Sequence, residues 1–426
     1  MAALTSMFGC MFVIVAAFLA GATTAQLSPD FYDQACPQAL PAIKIVVEQA
    51  IGREPRMGAS LLRLHFHDCF VNGCDGSLLL DDFPGFTGEK TAAPNLNSVR
   101  GFEVVDQIKA AVDSACYGSV VSCADILAIA ARDSVVTLGG QSYEVLVGRR
   151  DARTASKDDA NNNIPPPTLD FPALLSNFQS HGLALEDLVV LSGAHTIGMA
   201  RCTTFKNRIY NETNIDSSFA SALQMICPPT GGDNNTSPLD ETTTIFDTVY
   251  FNDLLEEKGL LHTDQQLFKS DGSASDGLVR YYSTNSKAFG ADFGVSMIKM
   301  GNMKPLTGSD GEIRVNSSSF WYSLAKARDA QGRNCAAAIF LHAIFVLLQL
   351  RNDSKHSSRE PSLEQAQVVL LDCLKGMSIS ITGRNSTPPS HPILLVVEIR
   401  ASQCFLSVLC RGLSWFVLIY ELCLVM

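Results

Sequence analysis

The stretch RLHFHDCFVNGCDGS, residues 63–77, gathers an arginine, two histidines, two aspartates and two cysteines in one short run. In a helix, Arg63 and His67 would be i and i+4 and share a face, whereas His65 would point elsewhere. A base and a permanent cation on one face suit a site that takes a proton and steadies a developing negative charge. Apolar packing alone gives no reason for so many polar groups in one run.

The same stretch offers a concentration of oxygen ligands. Hard cations bind such oxygen-rich, irregular backbone, and calcium is the expected occupant; an acidic loop that is simply solvated is the alternative. Cys69 and Cys74 could close the loop. The side-chain and carbonyl oxygens on offer are those of Asp68, Val71, Gly73, Asp75 and Ser77.

Length and charge limit the classes of protein that fit the sequence. The 426 residues allow one large domain or two of ordinary size, with an ample core. The 43 acidic residues outnumber the 32 basic ones and no long basic run occurs, which argues against nucleic acid as a partner.

The N-terminus and the cysteines indicate export. Residues 1–25 are typical of a secretory signal, with an apolar stretch and small residues before Gln26; a membrane anchor is the alternative. The main body contains no CxxC pair, so a disulfide framework is favoured over zinc. Sequons at Asn211, Asn234 and Asn235 would be glycosylated on an exported protein.

Hydrophobic periodicity predicts a mainly helical domain from Gln26 to about Asn316. The best strand candidate is Glu144–Val147, and the proline run at 164–167 would join two lobes, 26–163 and 164–316. The predicted helices are Leu40–Ile51, Gly58–Phe70, Val99–Ala115, Ser122–Leu138, Phe171–His181, Ala184–Ser192, Ser217–Ile226, Thr248–Glu257 and Asp276–Asn285.

The hydrophobic pattern of residues 317–426 differs from that of the rest of the chain. They lack helical periodicity and turn strongly apolar, but the runs 335–350 and 412–420 are too short to predict a transmembrane helix. We expect this segment to be an atypical extension, disordered or the product of alternative splicing or a misread gene boundary.

A second constellation surrounds His195 in LVVLSGAHTIGMARC, residues 188–202. Gly193 and Gly198 would let a bulky group approach the backbone there. An isolated histidine is commonly a satisfied core residue, but together with Arg63 and His67 a cofactor ligand becomes the better explanation.

These blocks resemble the secretory haem peroxidases of plants (class III). The resemblance covers Gln26 to about Asn316 and implies a mainly α, two-lobed fold, with one haem b between a distal and a proximal helical lobe. The blocks occur in the order RLHFHDCFVNGCDGS, GEKTAAPN, RGFEVVDQIK, VSCADILAIAARD, VGRRDARTA, LSGAHTIG and KMGNMKPLTG.

The resemblance implies a role for each residue of the site. His195 would be the proximal ligand of the haem iron, and Asp264 would accept its ring N–H and make the imidazole more electron-rich. His67 would be the distal base, and Arg63 would stabilise charge on the departing oxygen. Further positions are Asn95, which would orient the distal ring, Glu89 behind it, Phe66 over the iron and Pro165 at the entrance for reducing substrates.

Two calcium ions per chain and three disulfides are implied as well. The distal ion would be held by Asp68, Val71, Gly73, Asp75 and Ser77, with Glu89 in its surroundings, and the proximal ion by Thr196, Asp240, Thr243, Ile245 and Asp247. The implied disulfides are Cys36–Cys116, Cys69–Cys74 and Cys202–Cys227.

The chain departs from the family pattern in two places. The loop PLDETTTIFDTVYF is one residue short, which leaves the assignments of Thr243 and Ile245 open and predicts weaker calcium binding there. Cys123 should pair with a cysteine near the end of the domain, but Ser317 occupies that position. Cys335 is an alternative partner; loss of the bridge would cost about 2–5 kcal/mol.

The implied function is a monomeric, secreted peroxidase that uses hydrogen peroxide to oxidise small phenolic donors in the cell wall, or in the vacuole. A calcium-stabilised wall glycoprotein without haem is the alternative from another class, and a membrane-tethered enzyme is a third. Arg63, His67, His195 and Asp264 together favour the enzyme.

Overall fold

The computed structural model describes residues 27–319, 378–383 and 395–400. The chain divides into two compact units, Met1–Asp329 and Ala330–Met426, and each is described by itself. The predicted signal at 1–25, the cysteine at 335 and most of the segment 317–426 lie outside the described residues.

Helices are the main secondary structure among the described residues of the first unit, which confirms the mainly α prediction. They are α1 (Ala39–Arg53), α2 (Met57–Cys69), α3 (Phe102–Ala115), α4 (Cys123–Thr137), α5 (Lys157–Asn163), α6 (Phe171–Ser180), α7 (Leu185–Ser192), α8 (Cys202–Asn211), α9 (Ser217–Ile226), α10 (Val249–Leu255), α11 (His262–Gln265), α12 (Ala274–Thr284) and α13 (Ser286–Gly301). Of these, α5, α8, α11 and α13 were not predicted.

The strands of the first unit are short. β1 (Met199–Arg201) pairs antiparallel with β2 (Thr236–Pro238). The prediction of a strand at Glu144–Val147 was wrong, because only Val147 makes a bridge, to Ser28. The backbone that follows donates to a side chain instead of to a strand, since the N–H groups of Gly148 and Arg149 both bond to Asp125 Oδ2.

The described part of the second unit is one antiparallel pair of strands. β3 (Ser378–Gly383) runs against β4 (Leu395–Arg400), with Ser378 opposite Arg400 and Gly383 opposite Leu395. The sequence did not predict these strands.

The largest contact between helices of the first unit is the packing of α2 on α4. Helix α4 is apolar around most of its circumference, so it is buried on nearly every face. Ser122 caps its N-terminus, since the Ser122 hydroxyl accepts the Asp125 N–H at 3.1 Å. The buried Asp125 carboxylate is compensated by Arg149 Nη1 at 2.8 Å and by the Tyr32 hydroxyl at 2.6 Å.

Helix α2 is oriented by its apolar face. Leu61 and Leu64 are fully buried in the core. Arg63 and His67, one helical turn apart, therefore face away from that core toward a cavity.

The three implied disulfides are all present, namely Cys36–Cys116, Cys69–Cys74 and Cys202–Cys227. Cys123, at the start of α4, is a buried free thiol. Among the described residues, the structure contains no helix that is both long and apolar enough to span a bilayer.

Candidate active site

A cavity of about 530 Å³ lies inside the first unit. Helix α2 contributes Arg63, Phe66 and His67 to its wall, and the turn after α7 contributes His195. The two histidines, 128 positions apart in the chain, therefore line one internal space. A cavity of this size is in the range of small-molecule and cofactor sites.

A chain of hydrogen bonds fixes the tautomer of His67. The Glu89 carbonyl can only accept, so it takes the Asn95 Nδ2–H at 2.9 Å and turns the Asn95 Oδ1 toward His67. That oxygen accepts from His67 Nδ1 at 2.5 Å. Nδ1 thus carries the proton, and the Nε2 lone pair is left as a base.

The surroundings of His67 keep it neutral. Its ring is buried and lies edge-on to Phe66, with ring centroids 5.1 Å apart. Burial lowers the pKa of His67 well below its usual value, and the Arg63 charge lowers it further, while the bond to Asn95 opposes both. The imidazole is therefore a free base at neutral pH.

Arg63 is held in place by polar groups of the neighbouring loop. Nη1 donates to the Ser98 hydroxyl at 2.9 Å and Nη2 donates to the Pro94 carbonyl at 3.2 Å. Burial, and then the charges of Arg201 and Arg56, lower the pKa of Arg63 to about 10. Arg63 stays a cation over the physiological range and presents fixed positive charge to the cavity.

His195 is tied to a buried carboxylate. Its Nδ1 donates to Asp264 Oδ1 at 2.7 Å, and Asp264 also accepts from the Tyr250 hydroxyl at 3.1 Å and the Leu261 N–H at 2.9 Å. The carboxylate bond polarises the ring and leaves Nε2 open to the cavity, as a metal-ligating histidine requires.

The loop after α2 is acidic and buried. Asp68, Asp75 and Glu89 are all less than a tenth exposed. Burial raises the pKa of each of them, that of Glu89 to about 8, and Asp75 adds to the shift for both Asp68 and Glu89. The Ser77 hydroxyl and Glu89 Oε2 are buried without a hydrogen bond. A divalent cation would satisfy these oxygens and relieve the crowding of charge.

Val71 and Gly73, the two uncharged residues of this loop that were expected to offer carbonyls, make other contacts. The Val71 carbonyl accepts the Asn163 side-chain N–H at 3.0 Å. Gly73 has φ +117°, and a Cβ there would lie 2.6 Å from the Lys304 carbonyl, so the close approach of the two segments requires glycine.

The second acidic loop lies beside His195. The buried Thr196 hydroxyl is 2.8 Å from Asp240 Oδ2 and 3.0 Å from Asp247 Oδ1. Burial raises the pKa of Asp240 to about 6. Thr242, rather than Thr243, turns its hydroxyl toward Asp240, at 3.4 Å from both oxygens.

Two other residues of this loop, Thr243 and Ile245, are placed differently. The Thr243 carbonyl accepts the Gly198 N–H at 2.9 Å, and the Ile245 side chain is 54% exposed. Thr196, Asp240 and Asp247 therefore come together as implied, while Thr243 offers its backbone to the Gly198 turn.

Comparisons with known proteins identify the family. The family model described as Peroxidase matches residues 43–285, more than half of the chain. This chain belongs to the plant peroxidase family. It is 67% identical to Peroxidase RIP1 of Medicago truncatula over 296 residues, which cover 69% of this chain and 91% of that protein. It is 58% identical to Peroxidase 4 of Vitis vinifera over 303 residues, 70% and 94% of the two chains.

Membership establishes a haem peroxidase that acts on hydrogen peroxide. The cavity fits the group: it is roomy, it carries one imidazole with an open Nε2 backed by Asp264, and apolar rings such as Phe66 line it. Arg56 and Arg201 line the same space and could pair with the carboxylates of the porphyrin.

Sequence reasoning missed two residues that hold Arg63 in this peroxidase site, and one buried carboxyl near Asp240. Ser98 and Pro94 anchor Arg63 but carry no motif of their own. Asp253 is a buried carboxyl whose pKa is raised to about 7 by burial and then by Asp240 and Glu241. The only feature of the sequence that could have drawn attention to Asp253 is its position six residues after Asp247, on α10.

Proposed function

We propose that this peroxidase is a secreted enzyme that oxidises small phenolic donors by one-electron steps, with His67 as proton acceptor and donor and Arg63 as stabiliser of developing charge. The observation that carries the proposal is the fixed tautomer of His67, whose free Nε2 lines the same cavity as the His195–Asp264 pair. Pro165 lines the cavity as well and is proposed as a contact for entering donors.

The residues divide the chemistry as follows. Haem bound at His195 supplies the electron transfers between peroxide and donor. His67 Nε2 accepts the proton of the incoming peroxide oxygen and delivers a proton to the oxygen that departs as water. Arg63 holds a positive charge beside the departing oxygen, and a buried cation of this kind is already oriented before the reaction begins.

At the second histidine of the cavity, Asp264 fixes the His195 ring. Its bond to Nδ1 assigns the ring proton and makes Nε2 a stronger donor to a metal. The Tyr250 hydroxyl and the Leu261 N–H share the charge of the carboxylate and hold it in place.

We also propose two calcium ions, one in each acidic loop. The distal ion would use Asp68, Asp75 and Ser77, with Glu89 close by, and unsatisfied oxygens support it. The proximal ion would use Thr196, Asp240, Thr242 and Asp247. The proximal loop is one residue short of the family pattern, so we expect it to bind more weakly.

Secretion to the cell wall is proposed on chemical grounds. Three disulfides suit an oxidising compartment. The sequon residues Asn211, Asn234 and Asn235 are exposed, as glycosylation requires.

The test uses full-length protein supplied with hemin and calcium. We expect a porphyrin absorbance that changes on mixing with one equivalent of peroxide, and two molecules of a small phenol oxidised per peroxide. His67→Leu should slow the peroxide reaction by about 10²–10⁴-fold. His181→Gln, at a histidine that bonds to the Phe70 carbonyl, is the matched control and should react normally. A colourless protein after hemin treatment, or a normal rate for H67L, would contradict the proposal.

A further inference from the structure

A continuous row of aromatic rings leads from His195 to the protein surface. The ring centroids of His195 and Tyr250 are 6.2 Å apart, and those of Tyr250 and Phe251 are 5.2 Å apart. Phe251 and Tyr282 follow at 5.4 Å, and Tyr282 and Tyr281 at 5.3 Å. The three inner rings are buried, whereas Tyr281 is 49% exposed. The row therefore connects the cofactor ligand with solvent.

Packing explains the rings but not the two buried phenol groups. A buried hydroxyl must find a partner, so phenylalanine would be the simpler core residue at either position. Here each hydroxyl donates to a carboxylate: Tyr250 to Asp264 Oδ1 at 3.1 Å, and Tyr282 to Asp292 Oδ2 at 2.9 Å. Neighbouring core rings, such as Phe289 and Phe293, are phenylalanines.

The carboxylates make these phenols suitable for one-electron oxidation. A phenol loses an electron readily only when its proton can leave at the same time, and a carboxylate at hydrogen-bonding distance can take that proton and return it. Asp292 is exposed and can exchange the proton with water. Phe251 has no such group and serves as the contact that bridges Tyr250 and Tyr282.

The distance from His195 to the surface favours several short electron transfers over a single long one. Electron tunnelling falls off exponentially with separation, so several transfers between touching rings are faster than a single transfer over the whole path. The outermost ring, Tyr281, makes no hydrogen bond through its hydroxyl within the part of the chain that the structure describes, and half of its surface is open to a donor.

We propose that this row of rings carries single electrons inward from Tyr281, so that phenol groups on an uncharged polymer too large for the cavity are oxidised at the protein surface. The proposal rests on the proposed function and names a second class of donor for it. The net charge of −11 over the whole chain disfavours acidic polymers as donors.

The overall reaction balances without another reagent. Each polymer phenol gives up one electron and one proton and becomes a phenoxyl radical. Two such events reduce one hydrogen peroxide to two waters, because the peroxide takes up two electrons and two protons. Each tyrosine of the row is oxidised and then reduced again, so none is consumed.

The test compares two donors of the same chemistry on haem-loaded, full-length enzyme. One donor is free tyramine, which is small enough for the cavity, and the other is tyramine coupled to a high-molecular-weight dextran. In Tyr281→Phe, we expect the ratio of the dextran rate to the tyramine rate to fall at least about tenfold. Tyr117→Phe is the matched control, since Tyr117 is 99% exposed but lies outside the row, and its ratio should equal that of the wild type.

A second readout does not depend on turnover of a donor. With peroxide and a nitroso spin trap alone, peptide mapping by mass spectrometry should find the trap on Tyr281 in the wild type. In Tyr250→Phe, the adduct on Tyr281 should be lost.

The outcomes separate this proposal from the proposed function. A wild type that fails to oxidise free tyramine contradicts the proposed function itself. Normal tyramine oxidation with an unchanged ratio in Y281F, or without an adduct on Tyr281, overturns the surface pathway alone. An acidic, tyrosine-rich polypeptide that outcompetes the dextran at Tyr281 would overturn the assignment of an uncharged polymer.

Discussion

Replacing Ser317 by cysteine should restore a disulfide to the only free cysteine among the described residues, Cys123. The two positions are tied to the same two buried charged residues, Asp151 and Arg314. Asp151 accepts the Ala124 N–H through Oδ1 and the Arg314 N–H through Oδ2, each at 2.9 Å. Arg314 Nη1 in turn donates to the Ser317 carbonyl at 3.0 Å. This shared anchor holds the two residues in one neighbourhood.

The expected gain follows from the length of the closed loop. Residues 123 and 317 are 194 positions apart, and a loop of that length gives about 5 kcal/mol in the chain-entropy treatment. The substitution removes the hydrogen bond from the Ser317 hydroxyl to Asp106, worth about 1.5–3 kcal/mol. We therefore expect a net stabilisation of about 2–4 kcal/mol, or roughly 5–10 °C in Tm.

The assay has a chemical and a thermodynamic part. Peptide mapping without reduction should find Cys123 linked to position 317 in Ser317→Cys, and as a free thiol in the wild type. Thermal unfolding at fixed haem and calcium should then show the shift, which dithiothreitol should abolish. The double variant C123S/S317C carries the new thiol without a partner and should show no gain. A mapped bridge with no rise in Tm, or no bridge at all, would refute the reasoning.

Three further results are expected. The rate constant for the reaction of the enzyme with peroxide should stay level as the pH falls through 6.5 and decline only well below it. The reason is that the pKa of His67 is depressed in the folded protein, so the base stays unprotonated. An apparent pKa of 6.5 or higher in stopped-flow kinetics would contradict this. Asp264→Asn should raise the reduction potential of the bound iron by weakening the charge behind His195, which spectroelectrochemistry can measure; an unchanged potential would count against the role of this contact. Removing calcium with a chelator should lower Tm, because a bound ion at 100 times its Kd stabilises the folded protein by about 2.7 kcal/mol. Asp75→Asn should remove most of the part of this effect that comes from the loop after α2. A wild type whose Tm does not respond to the chelator would disprove a calcium site there.

The helices that the sequence predicted well are those with strong apolar periodicity. Helix α13 was missed because Gly290 and Gly294 lower its intrinsic propensity. The structure explains both glycines by close approach, since a Cβ would lie 2.6 Å from the Gln141 side chain and 2.8 Å from that of Tyr143. Tertiary packing thus stabilises a helix that local preference disfavours. Helix α8 was missed because it is polar along most of its length.

Of the candidate site, only the pairing of Arg63 with His67 follows from spacing, because i and i+4 share a helix face. The contacts of His67 with Asn95 and of His195 with Asp264 join residues 28 and 69 positions apart. No local pattern encodes them, so they were available only through the family resemblance. The preference for Thr242 over Thr243 depends on the backbone path of a shortened loop, which the sequence leaves open.

Arg314 also constrains the order in which the enzyme can fold during synthesis. Its guanidinium donates to the Gly76 carbonyl, 238 positions earlier in the chain, and to the Ala152 carbonyl, both at 2.7 Å. The loop around Gly76 therefore reaches its final form only after residue 314 has left the ribosome. Until then the nascent N-terminal part of the enzyme lacks these two contacts, and its unpaired thiols are exposed to chaperones and to oxidation in the wrong pairs.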